Sequence, residues 1–161
     1  MQRLIKFLHT MGAIGLMGAM MSLLVLLSFL PEPSSLPEYA RMRIAMGGIA
    51  TWIFLPSLAL TLIAGLLAIA ANRAYQDAGW ALVKLATGIL LFEFGFVAVQ
   101  GPMQQEAALS VQALANTVDA AALGTTLDAE RGSLWVLLGV AIVNVVLGVW
   151  RPHIGRLWPS S

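Results

Sequence analysis

The chain has 161 residues, of which 59% are hydrophobic and only 11% charged, and its mean hydropathy is +0.84. A soluble surface carries roughly 25% charged residues, so this composition excludes both an ordinary soluble domain and a disordered segment. Nine Lys/Arg against eight Asp/Glu leave a charge of +1, with no footprint for nucleic acid. The absence of cysteine excludes disulfides, thiolate metal sites, iron–sulfur clusters and thioether-linked haem.

The first apolar run covers residues 4–30 and stops at Pro31-Glu32-Pro33, since proline cannot continue a helix. Its basic start (Arg3, Lys6) is shared with signal peptides. The run is longer than a usual apolar signal region of roughly 7–15 residues and lacks a cleavage motif, so it reads as a retained helix. The second run covers 44–71, with Pro56 in mid-span predicting a kink that exposes carbonyls near Trp52. The third covers 81–100 and the fourth 134–150. A hydrocarbon core of about 30 Å takes roughly 20 helical residues, so each run is a candidate span. The expected fold is therefore all-α: one integral membrane domain, an up-down-up-down four-helix bundle with a long outer loop over 101–133. Within that loop, Leu109, Leu114 and Val118 form a partial helical stripe, which leaves open a short interfacial helix or a mobile loop.

Lys and Arg in the flanks set the expected orientation. Arg3, Lys6, Arg73, Lys84, Arg151 and Arg156 share one side, and Arg41, Arg43 and Arg131 the other. This bias predicts that both termini are cytoplasmic. Trp80, Trp135 and Trp150 mark span ends, where indoles sit at the headgroup level.

Polar residues at hydrocarbon depth are costly and so carry information. Counting about 1.5 Å per residue, His9 lies about 12 Å inward of the middle of its span and Lys84 about 10 Å inward of its own. Two residues on different helices thus reach one depth. An intramembrane imidazole suits an axial position on haem iron, and Gly12, Gly15 and Gly18 leave a strip for a macrocycle or a neighbouring helix to approach. Lys6, Arg73, Lys84 and Arg151 are candidate partners for anionic propionates. Ordinary packing of the glycines and a snorkelling Lys84 account for the same residues without a cofactor. His153 lies at the membrane boundary behind Pro152. Glu93, near mid-span, is about 900° of helical turn from Lys84 and so on the opposite face. Its carboxyl is expected to be neutral and bonded inside the bundle, to Ser57, Trp52, Ser22 or Asn144, or else to act as a proton relay. Met11, Met17, Met20 and Met21 read as adaptable packing rather than as a copper site.

Lys6-Phe7-Leu8-His9-Thr10-Met11-Gly12 resembles the opening of a superfamily of small bacterial membrane proteins that includes CopD-type copper-resistance proteins, HemJ-type protoporphyrinogen oxidases and an uncharacterised branch. Trp80-Ala81-Leu82-Val83-Lys84 is similar to the Trp-x-x-x-Lys of the HemJ type, and Gly148-Val149-Trp150-Arg151-Pro152 to the uncharacterised branch. The resemblance implies haem b as cofactor, His9 as iron ligand with Gly12 beside it, and Lys84 as a functional, catalytic partner. Two departures accompany it: Gly15-Leu16-Met17-Gly18 replaces a Trp and a Gly-Gly, and Glu93 stands near the place of a further His. Two functions are therefore expected. One is a haem b-binding membrane redox protein, related to a membrane oxidoreductase. The other is a cofactor-free accessory subunit, touching lipid and a larger complex or further copies of itself.

Overall fold

The computed structural model describes residues 2–72 and 79–150, and it is helical with no strand among them. Arg73, Arg151, His153 and Arg156, which enter the orientation and ligand arguments, lie outside the described residues.

Helix α1 (Gln2–Ser28) buries Gly12, Leu16, Ala19, Met20, Leu23, Leu24 and Leu27, a single stripe at three- and four-residue spacing. The remainder of its apolar surface faces outward, with Ile14 60% exposed, as expected of a helix solvated by lipid on one side. Helices α2 (Leu36–Ile49) and α3 (Leu55–Ala70) form one rod, joined by a π-helical turn at Ala50–Phe54. Helices α4 (Gly79–Gly95) and α5 (Gly101–Leu114) form a second rod, joined by a π turn at Phe96–Gln100. A 3₁₀ turn at Ala120–Ala122 leads into α6 (Leu127–Trp150). Four helical segments are thus long and apolar enough to cross a membrane.

Both π turns end two residues before a proline, Pro56 in one rod and Pro102 in the other. Proline lacks an N–H and its ring clashes with the carbonyl four residues back. Widening the preceding turn relieves that clash while the helix continues. At Pro56 the expected kink is therefore a π turn, and Trp52 within it is 80% exposed. At Pro102 the same device carries the helix through Gly101 to Leu114, across the first half of the expected 101–133 loop. The rod ends where Asn116 takes a left-handed φ of 55°. There the Thr117 N–H reaches back to the Gln112 carbonyl at 3.0 Å, closing a Schellman turn. Helix α6 also starts earlier than the apolar run, at Leu127 rather than near 134.

The rods of 35 and 36 residues are about 50 Å long at 1.5 Å per residue, well beyond a hydrocarbon core of about 30 Å. In the membrane portion α1 packs on α3 and α6, and α4 packs on the same two helices, closing a ring of four. Gly12 meets Thr61 and Gly15 meets Ser57, so residue numbers rise along α1 as they fall along α3. Thr87–Asn144 and Lys84–Gly148 show the same reversal between α4 and α6. At the other end of the rods, α2 packs on α5 with Gly47 against Ala107, and the Gln104 amide donates to the Gly47 carbonyl at 2.7 Å and to Thr51.

Candidate functional site

His9 is placed by glycine. A β-carbon on Gly12 would lie 2.5 Å from Thr61 Oγ1 and 2.9 Å from the Thr61 nitrogen, so its absence lets α1 and α3 touch backbone to backbone. The strip at Gly12 and Gly15 is filled by α3, while nothing stands within 4 Å of Gly18. One turn from Gly12, the His9 ring lies over Gly65, whose β-carbon would be 3.5 Å from Cε1. There His9 Nδ1 is 2.9 Å from the Thr61 carbonyl oxygen. A carbonyl only accepts, so Nδ1 carries the proton and donates it. Nε2 is then left with the lone pair, in the tautomer that a metal-ligating imidazole takes when a backbone carbonyl holds its other nitrogen.

Lys84 arrives from α4 by helical periodicity. Lys84, Gly88, Leu91 and Gly95 recur at four, three and four residues and form the inward stripe of α4. The Lys84 Nζ lies 2.8 Å from the place of a β-carbon on Gly148 of α6, so this glycine makes room for the ammonium. Beside it the Thr87 hydroxyl donates to Asn144 Oδ1 at 2.7 Å, tying α4 to α6.

His9 and Lys84 line one cavity of about 380 Å³ between α1, α3, α4 and α6, together with Thr61, Trp80 and Asn144. Its remaining wall is mostly aliphatic. A base-side nitrogen, an ammonium and a carboxamide around an apolar space suit an amphiphile or a macrocycle with an anionic edge. Lys6 also reaches this cavity. No group of three or more His, Asp or Glu able to hold a bare metal ion occurs among the described residues. Ligation of a haem iron needs only the one imidazole, so the donor set fits that group.

Glu93 does not enter the bundle. It lies two residues from the buried Leu91, about 200° round the helix, and faces outward. The partners expected for it are turned elsewhere: Ser22 to the Gly18 carbonyl, Asn144 to Thr87 and Val140, and Trp52 to the exterior. Ser57 lies against Gly15 of α1.

A second polar centre escapes a reading of charges as interfacial anchors. Arg43 is fully buried and its Nη1 donates to Glu130 at 2.7 Å. Arg43 Nε donates to the Tyr39 hydroxyl at 3.0 Å, and that hydroxyl donates to Glu106 at 2.9 Å. Glu106 also accepts from the Gly124 N–H at 3.2 Å, and Glu130 from Thr126 at 2.9 Å. Arg43 Nη2 is buried with no partner among the described residues. Glu106 follows Glu93 by thirteen residues on one rod, which puts the centre about 20 Å further along it. The i, i+4 spacing of Tyr39 and Arg43 with Met46 and Gly47 is the signal that marks this buried face.

Comparison with protein-family models, with curated proteins and with solved structures found no match to this chain.

Proposed function

We propose that this chain is a haem b-binding redox protein of the bacterial inner membrane, an up-down-up-down bundle with both termini cytoplasmic. The observation that carries the reading is the Nδ1–H bond of His9 to the Thr61 carbonyl at 2.9 Å, in the wall of a cavity shared with Lys84. That bond reserves Nε2 for iron and holds the ring against rotation. A neutral imidazole also avoids the cost of a buried charge, so burial and ligation favour one protonation state. Lys84 is suited to a propionate or to the anionic group of a substrate, and Gly148 keeps its ammonium close to α6. Haem b, when bound, supplies one-electron chemistry at its iron. The resemblance of the His9 and Lys84 segments to HemJ-type oxidases supports the same pair, as members of a membrane oxidoreductase. The Lys and Arg bias of the flanks supports the orientation.

The test is an absorption spectrum of protein purified in mild detergent, oxidised and then reduced with dithionite. A b-type spectrum that His9→Ala removes while the helical content is kept is the expected result. A colourless, folded wild-type protein reconstituted with haem without spectral change overturns it. A second reading, a cofactor-free subunit of a larger membrane complex, draws on the outer part of the rods, which offers a partner a surface beyond the lipid. In that case the colourless protein would co-purify with other membrane proteins.

A further inference from the structure

Glu93 is exposed on the outer surface of α4 and makes no hydrogen bond or ion pair among the described residues. On the depth scale of its span it lies about 5 Å from the midplane. Its neighbours along the surface are Val83, Leu90 and Val97, which are 41%, 62% and 71% exposed. With Ala86 they make a stripe at positions 83, 86, 90, 93 and 97, alternating three and four residues, the spacing of a helix-to-helix seam. In hydrocarbon a carboxylate is unfavourable by kilocalories per mole, and lipid tails offer a neutral carboxyl nothing to bond.

We propose that this stripe, which runs along α4 and onto the π turn after it, is the seam of a homodimer, in which the Glu93 carboxyls of two copies hydrogen-bond each other near the membrane centre. A protonated carboxyl carries one donor and one acceptor. Two related by a two-fold axis along the membrane normal satisfy each other, with no further group required. Any other partner must present a matching group at this depth by its own sequence, whereas a second copy does so by symmetry. Lys84 cannot serve as the cation across such a seam, because it is on the inward face of the same helix. Packing along the stripe is apolar, and Ala86 permits close approach. The inference does not depend on haem, since the cavity opens among the four helices and the stripe faces away from it.

The chain has no cysteine, so single cysteines can be placed cleanly. In native membranes, full-length Leu90→Cys and Val97→Cys are expected to form a disulfide-linked product of twice the 17.2 kDa chain under a permeable oxidant. Val143→Cys and Val146→Cys, exposed on α6, are expected not to. In the Leu90→Cys background, Glu93→Gln should keep the cross-link because a carboxamide is also self-complementary, and Glu93→Leu should lower it by roughly fivefold or more. Equal cross-linking from α6, indifference to Glu93→Leu, a product with another protein, or no product at all each overturns the proposal. Helical content and extraction of the Gln and Leu variants at equal yield show that loss of the cross-link is not loss of the fold.

Discussion

The ammonium of Lys84 lies 2.8 Å from where Gly148 would carry a β-carbon. A cation from one helix thus occupies the space of a side chain on the next, and the cavity owes its charged edge to a missing methyl. Gly148→Ala puts a methyl where the Nζ stands and drives the flexible lysine tip aside. The expected outcome is an intact bundle with weaker haem retention, in the same direction as Lys84→Ala although no charge is removed. The ratio of haem to protein after detergent washing, beside circular dichroism, measures both.

Gly12 and Gly18 give opposite expectations for one substitution. At Gly12 a β-carbon meets the Thr61 nitrogen at 2.9 Å and the Ser57 oxygen at 3.0 Å, and backbone cannot yield as a side chain does. Gly12→Ala should cost about 1–3 kcal/mol by overpacking, and it should loosen the His9–Thr61 bond one helical turn away. Gly18 has open space around it, so Gly18→Ala should stabilise by roughly 0.5–1 kcal/mol through backbone entropy. Denaturant or thermal unfolding in a fixed detergent compares the pair.

Arg43 binds two buried carboxylates and a phenol. Arg43→Ala leaves Glu106 and Glu130 buried without their cation, and breaking such a centre costs about 3–5 kcal/mol. A triple variant, Arg43→Met with Glu106→Gln and Glu130→Gln, should recover most of that loss because no charge is then left unpaired. The order of melting temperatures, wild type and triple variant above Arg43→Ala, is the measurement.

Sidedness has its own test. Reporter fusions after Ser161 and at Thr117 are expected to report the cytoplasm and the opposite side respectively.

Much of the membrane portion was legible because a bilayer enforces simple rules. The four apolar runs follow from length and composition alone, and Trp80 stands at the start of α4, whereas Trp135 lies well inside α6. The meeting of His9 and Lys84 at one cavity was legible from depth, since helices that cross one bilayer share a depth scale even when, like α1 and α4, they face each other across the bundle. Gly101-Pro102 hid the continuation of the third segment, because a π turn is a tertiary compromise with no sequence motif; of the two readings left open for the region after it, the helix holds as far as Leu114. Arg43 was counted among the flank charges, whereas its burial against Glu106 and Glu130 comes from helices distant in sequence, which no local pattern encodes. Glu93 was assigned inward on the cost of its charge, although it was already on the face opposite Lys84, and it is Lys84 that lines the cavity.

The two π turns pack against each other, so the wide turns of both rods fall at one level. They form a crease across two helices at the same height. Above it, α2 and α5 are joined by the Gly47–Ala107 contact and by Arg43 with Glu106, so neither can lean without the other. Helices α1 and α6 run unbroken past this level, and Arg43 ties α2 to Glu130 of α6 as well. The two widened turns are thereby splinted by two continuous helices, and the core of the outer half is one with that of the inner half.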